Sequence, residues 1–209
     1  MAEASKRLPR AFYARPTVEV ARDMLGKLLV HVAEDGLQRV GRIVETEAYV
    51  GPDDAASHAR VGRKGRAAVM YGKAGVAYVF FIYGMHYCFN VVTEREDYPG
   101  AVLVRAIEPQ DPATRGNGPA LVCRALHIDR ASNGLDLVES NLCMLDAPHI
   151  PDPNVRVGPR VNVEYAGAWA DKPWRFWIAD SAHVSRPRNN GHVFDASMVG
   201  LSTGGNGAS

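Results

Sequence analysis

The chain has 209 residues, 46% of them hydrophobic and 22% charged, with a formal net charge of +1; this suits one globular domain and gives no overall basic surplus. It holds no run of about 18 apolar residues, and charges interrupt the opening MAEASKRLPRAFYARP where a signal peptide needs an apolar stretch, so a soluble, intracellular protein with no membrane attachment is expected. Cys88, Cys123 and Cys143 are odd in number and widely spaced, which argues against a disulfide framework or zinc ribbon and leaves packed thiols.

In chain order, Thr17 after Pro16 reads as an N-cap, and Val18, Ala21, Met24 and Leu25 recur at helical spacing until Gly26 stops the helix. KLLVHVA and LQRVGRIVETEAYV flank Asp35-Gly36, a strong hairpin signal. Gly51 and Pro52 end the second of these strands, Asp53 is placed to cap a short helix through AASHA, and a Gly-rich basic loop runs from Val61 to Arg66. AYVFFI and YCFNVV form a second hairpin through Tyr83, Gly84, Met85 and His86. AVLVRAI is a further strand in which Arg105 stands alone among apolar neighbours, and Gly118-Pro119 opens a helix in GNGPALVCRALHI. RVNVEY and RFWI are strand-like, and periodicity is lost in the tail. The expected architecture is α+β: a single mixed domain over 1–188, with a curved, mostly antiparallel sheet, a protruding β-hairpin and surrounding helices. The tail, 189–209, is expected to be disordered.

Glu45, Glu47 and Tyr49 recur every two residues in IVETEAYVG, so with Ile43 they should share one face of a strand. Carboxylates held there among apolar neighbours must be paired, and burial can tune them for proton transfer. As a pair, with Cα atoms ~6.5 Å apart, they could act as two glycosidase carboxyls; alternatively one or both simply meet Arg39, Arg42 or Arg105. No Asp or Glu occurs from Ala55 to Thr93, whereas Arg60, Arg63, Lys64, Arg66 and Lys73 do, which makes a local electropositive surface. A carboxylate, pocket aromatics, a hairpin-tip aromatic and a basic loop together suit an enzyme that draws a nucleotide out of the base stack. No Walker A, HExxH or GxSxG motif appears.

The blocks RIVETEAYVGPDDAASHA, AYVFFIYGMHYCFNVVT, AVLVRAIEP and AGAWADKPWRF, with FYARPTVEVARDMLGKLLV and GPALVCRALHI beside them, resemble in order and spacing the alkyladenine (3-methyladenine) DNA glycosylase family from about residue 12 to 178. The resemblance implies a monofunctional glycosylase that excises alkylated or deaminated purines by hydrolysing the N-glycosidic bond. It would act after base flipping and initiate base excision repair, with no metal or organic cofactor. It implies Glu47 as the water-activating base, with Arg105 and the backbone carbonyl of Val161 positioning the water, and assigns Glu45 to structure. Tyr49, His58 and Phe80 would enclose the base, with Asn90 on the pocket floor. Tyr83 would enter the duplex from the minor groove beside Met85 and His86. Arg63, Lys64 and Arg66 would hold phosphates. The partner is then double-stranded DNA carrying damaged purines, bound by a monomer that is cytoplasmic and nucleoid-associated in a bacterium or nuclear in a eukaryote.

Alkylation at a purine ring nitrogen makes the base a cationic, better leaving group, so one carboxylate can suffice, and the faces of Tyr49 and Phe80 would attract such a base. Several places depart from the family pattern: Phe80 in place of tyrosine, the loop GRKGRA where Thr and Asn usually follow the basic residue, Leu121 in place of lysine and Asn162 in place of glycine. A non-catalytic damage-binding module and an O-glycoside hydrolase using both glutamates are the competing readings.

Overall fold

The computed structural model describes residues 6–186 and 191–201. Among these, nine strands form one sheet in the order β3-β4-β5-β2-β8-β7-β9, with β1 pairing β2 and β6. They are β1 (Leu28–Val32), β2 (Gln38–Val50), β3 (Ala77–Ile82), β4 (His86–Thr93), β5 (Gly100–Pro109), β6 (Leu142–Leu145), β7 (Val155–Gly158), β8 (Arg175–Ile178) and β9 (His192–Val193). Every pairing is antiparallel. With the short helices α1 (Arg10–Tyr13), α2 (Thr17–Asp23) and α3 (Pro119–Ala125), this is the expected α+β architecture with its β3–β4 hairpin.

β2 is the axis of the sheet. Its outer part pairs with β1, the stretch from Gly41 to Val50 with β5, and its carboxylate-bearing part with β8. The apolar stripe of α2 and the inner face of α3 close over it, so Val20, Leu25, Ile43, Val44, Ala48, Val102, Val104 and Val122 share one core cluster. The Thr46 hydroxyl donates to the Ala21 carbonyl at 2.7 Å and ties α2 to this strand. Large-to-small changes in such a core cost about 2–5 kcal/mol, so the strand that carries the glutamates rests on a stiff floor.

The strict alternation expected of IVETEAYVG is broken once. The register between β2 and β5 shifts between Ile43 and Glu45 and back again between Glu45 and Thr46. Val44 is left unpaired on β2 and Arg105 on β5. The two irregularities compensate each other, so the disturbance is confined to Glu45 and Arg105, as expected where a bulge re-aims a side chain. Ile43 consequently joins Val44 in the core instead of sharing the polar face of Glu45, Glu47 and Tyr49.

Local punctuation also differs in places. Thr17 is the first helical residue and not the cap; its N–H and hydroxyl both donate to Glu94. No α-helix forms over AASHA; only its last two residues, His58 and Ala59, enter a 3-10 helix. Asp54, not Asp53, binds the N–H groups of Val50 and Ala56, and Ser57 caps a 3-10 turn at His58–Val61. The chain can bend sharply there because Gly51 has φ +69°, where a Cβ would also lie 2.6 Å from the Tyr98 hydroxyl. RVNVEY is not a strand, since Asn162 turns into the left-handed region at φ +60°. Residues 191–201, expected to lack structure, instead add β9 to β7 and a 3-10 turn at Ala196–Val199 whose Val199 packs into the core. Sequence periodicity is blind to so short an edge strand. The remainder of the expected disordered tail, 189–190 and 202–209, lies outside the described residues. No helix of the described residues is long and apolar enough to cross a membrane.

The three cysteines are free and buried, as expected of packed thiols. Burial pushes the Cys88 thiol up to about 11, which keeps it protonated and inert.

Candidate active site

Glu45 and Glu47 are both completely buried. Glu45 Oε1 accepts from Arg105 Nε (3.1 Å), Arg175 Nε (2.7 Å) and Ser185 Oγ (3.0 Å), while its Oε2 accepts the Ser185 backbone N–H at 2.6 Å. Of the partners considered from sequence, Arg105 alone reaches it; Arg42 pairs with Glu108 and Arg39 with Asp35. Arg175 follows from the pairing of β8 with β2, which sets it across from Glu47 in the ladder.

Glu47 is held differently. Its Oε1 accepts the backbone N–H of Val161 at 2.8 Å and faces Arg105 Nη1 at 3.4 Å; its Oε2 accepts the Tyr49 hydroxyl at 2.9 Å. Two buried carboxylates thus face two buried guanidiniums, which offsets a desolvation cost that neither glutamate could bear alone. Burial by itself would lower the Arg105 pKa, but Glu47 and then Glu45 raise it, so Arg105 remains a cation. Burial, then the Glu47 charge, holds the Tyr49 phenol well above its ordinary value, so it stays a hydrogen-bond donor.

Val161 reaches Glu47 because Arg160 anchors the chain beside it. The fully enclosed Arg160 guanidinium pairs with Asp54 and donates to the carbonyls of Ala48 (2.9 Å) and Trp169 (3.1 Å). Asn162 then takes the left-handed conformation, which asparagine tolerates better than most residues. The turn at Asn162 is thus one that a glycine would also adopt without strain.

Beside Glu47 lies a cavity of about 110 Å³ lined by Tyr49, His58, Tyr78, Phe80, Asn90, Val161, Asn162 and Tyr165 together with apolar side chains. All four pocket residues expected from sequence are here. His58 Nδ1 shares a 2.8 Å hydrogen bond with the Tyr78 hydroxyl, and its ring meets Phe80 edge-on with centroids 4.7 Å apart. Burial, then Arg66 and Arg60, pushes the His58 pKa below its ordinary value, so the imidazole is neutral near pH 7. The Asn90 amide N–H₂ donates to the Tyr78 carbonyl at 3.1 Å, which fixes that side chain in the cavity wall. A larger concavity of about 740 Å³, at the far end of β2 and β5, includes Leu121 and three arginines. It lacks the aromatic walls and any contact like those of Tyr49 and Val161 with a fully buried carboxylate, so chemistry favours the smaller one.

Tyr83, Met85 and His86 do not join this cavity; they form the tip of the β3–β4 hairpin. Tyr83 is 83% exposed and Met85 69%, an unusual display of large apolar side chains. Tyr83 and Gly84 both have positive φ, 51° and 69°, as a tight hairpin turn demands. In the basic loop Arg63 is paired with Asp97, whereas Lys64 and Arg66 make no ion pair among the described residues.

A buried, hydrogen-bonded carboxylate beside an aromatic cavity, with an exposed hairpin tip on the same sheet, is a candidate active site for a flat ring. A sequence model of the methylpurine-DNA glycosylase (MPG) family matches residues 11–182. The chain is 53% identical over 182 residues to a Myxococcus xanthus protein, covering 86% of this chain and 93% of that one. It is 56% identical to a protein of Anaeromyxobacter dehalogenans (87% and 86% covered) and 46% identical to one of Legionella pneumophila (87% and 99% covered). Each of these relatives carries the name "Putative 3-methyladenine DNA glycosylase". The chain belongs to the methylpurine-DNA glycosylase family. It is a hydrolase of N-glycosidic bonds that acts on DNA in base excision repair, and the non-catalytic reading is set aside.

Proposed function

We propose that this glycosylase flips a damaged purine nucleotide out of duplex DNA, seats the base between Tyr49, His58 and Phe80, and uses Glu47 to activate water. The observation that carries this is the hydrogen-bond state of Glu47. A carboxylate offers about four acceptor positions; Val161, Arg105 and Tyr49 occupy three, which leaves one on Oε2 for a water. That water adds to C1′ and passes its proton to Glu47 as the C1′–N9 bond breaks. Arg105 steadies the carboxylate, and Val161, which holds it through its N–H, has its carbonyl left to orient the water. Tyr83, with Met85 and His86, fills the vacated stack and offsets part of the few kcal/mol lost on flipping. Lys64 and Arg66, with Arg63 once released from Asp97, hold phosphates without reading sequence. The enzyme acts as a monomer, since one chain supplies both cavity and wedge.

Glu45 is bound by Arg105, Arg175 and Ser185, none of which lines the aromatic cavity, so it is assigned to structure and the paired-carboxylate O-glycosidase loses its second carboxyl. The test is single-turnover excision from duplexes carrying hypoxanthine, ethenoadenine or methylated purines. Glu47→Gln is expected to lose about 10²- to 10⁴-fold in rate while keeping the wild-type melting temperature within a few degrees. Undiminished excision by that variant would remove Glu47 from the chemistry.

A further inference from the structure

β5 ends at Pro109, opposite Gly41 on β2, and the chain then swings out through a turn at Asp111–Thr114. It returns at Gly116, where a Cβ would lie 2.5 Å from the Ile107 carbonyl oxygen, and enters α3 at Pro119. α3 buries Val122 and Cys123 and so turns Leu121, Arg124 and Ala125 outward. Between this helix, the loop and the first residues of β2 lies the concavity of about 740 Å³. Its floor is aliphatic, made by Val40, Pro109, Leu121 and Ala125, all half-buried. Three arginines stand around that floor. Arg39 is answered by both oxygens of Asp35, whereas Arg115 and Arg124 are exposed and make no ion pair among the described residues. The one acid in the lining, Asp111, accepts from the Ala113 N–H (3.0 Å) and the Thr114 hydroxyl (2.8 Å) and answers neither arginine. Val40 and Tyr49 stand on the same continuous strand, so this surface is roughly 25–30 Å along β2 from the cavity beside Glu47.

We propose that this concavity docks an acidic, extended segment of a partner protein, whose carboxylates meet Arg115 and Arg124 while an aliphatic side chain between them rests on Leu121, Val40 and Pro109. Protein interfaces place charge at the rim and apolar contact at the centre; the charge guides the encounter and selects the partner, and the apolar contact holds it. Two unmatched arginines beside an aliphatic floor have that arrangement, and they are complementary to a segment that alternates acidic and aliphatic residues. A nucleic acid strand matches the surface less well. It could set phosphates on the two arginines, but the lining holds no Phe, Tyr or Trp on which a base could stack. The aliphatic floor would stay uncovered, and the Asp111 carboxylate would face the phosphates. Docking here leaves the base cavity open, so a partner can be held on the same molecule that excises.

The experiment measures fluorescence anisotropy of the full chain with two labelled synthetic peptides of equal length. One has pairs of aspartates separated by single leucines; the other has serine in place of each leucine. The leucine peptide is expected to bind wild type about 3- to 10-fold more tightly than the serine peptide, since it alone can cover the floor. Arg115→Gln/Arg124→Gln should weaken the leucine peptide about 3- to 30-fold, the scale of two exposed ion pairs, and Leu121→Asn should erase the preference for leucine over serine. These three side chains lie outside the core clusters, so the melting temperature and single-turnover excision of both variants should match wild type. No binding of the leucine peptide, equal binding of the two peptides, or unchanged binding in the double variant would overturn the inference. A loss of duplex binding in the double variant as large as its loss of peptide binding would also overturn it, because the surface would then serve nucleic acid. None of these outcomes bears on Glu47, which the excision assay tests separately.

Discussion

Glu45 and Glu47 sit two residues apart on β2, both without solvent exposure, both in contact with Arg105. Charge and burial do not separate them, but their hydrogen bonds do. Glu45 meets two arginines and both the hydroxyl and the N–H of Ser185, whereas Glu47 meets one arginine, one phenol and one backbone N–H and lies beside a cavity. Each has one donor on its Oε2, so what separates them is place: Tyr49 and Val161, which hold Glu47, line the aromatic cavity, and Arg105, Arg175 and Ser185, which hold Glu45, do not. In this pair, the structural and chemical roles of one residue type are divided by what the partner strands deliver.

The comparison is sharpened most by pairing Glu47→Gln with Glu45→Ala. The first, an isostere, should remove excision and spare the fold. The second leaves Arg105 and Arg175 buried beside a lost partner, and breaking such a pair by removing one member costs about 3–5 kcal/mol. Chemical denaturation of the Glu45→Ala protein should show that loss as a lowered midpoint with unchanged slope. A Glu45→Ala protein as stable as wild type would mean that Glu45 does not hold the fold. Residual excision per folded molecule should exceed that of Glu47→Gln.

A smaller effect tests the vacancy on Glu47 itself. Tyr49→Phe keeps the ring against Arg160 and the cavity but deletes the donor to Oε2. A second acceptor position then opens and the carboxylate loses one of its orienting contacts. The single-turnover rate should fall by about 3- to 30-fold, well short of the loss in Glu47→Gln, because only one hydrogen bond to a charged group is removed. Lesion binding, which depends on the ring, should change little. A loss as large as that of Glu47→Gln would place the phenol in the chemistry.

How far the sequence speaks for each glutamate follows from where its partners lie in the chain. Glu47 with Tyr49 is legible through the period of two along β2, and Arg105 through its isolation in an apolar strand. By the same signal Arg175, alone before FWI, could have been found, as could Tyr78, which stands two residues from Phe80 on β3. Tyr165 and Arg160 carry no such periodicity. What no local pattern encodes is the pairing of β8 with β2, or the delivery of Ser185 to a carboxylate 140 residues earlier. The compensating bulges are equally hidden. Val44 and Arg105 look like ordinary strand residues, and only the ladder shows that both are skipped. The fold class and the hairpin are legible because turn chemistry is local, as at Asp35-Gly36; the 3-10 turn at His58–Val61 is missed because the competition between Asp53, Asp54 and Ser57 as caps is decided by Arg160.

The smallest effect concerns what titrates beside the two glutamates. His58, in the wall of the cavity near Glu47, is held below its ordinary pKa by burial first and then by Arg66 and Arg60. The unfolded chain keeps the ordinary value, so between the two the unfolded state binds more protons. The contribution of His58 to stability is therefore complete above about pH 6.5 and is lost as pH falls through its lowered folded-state value, levelling off below it. His58→Gln, which retains a polar partner for the Tyr78 hydroxyl, should flatten that acid-side decline in the denaturation midpoint while matching wild type in slope above pH 7. An equally steep decline in the variant would show that His58 is not the group behind it. Arg66→Gln should shorten the wild-type decline and make it level off at a higher pH, because removing a neighbouring cation brings the folded-state pKa closer to the ordinary value.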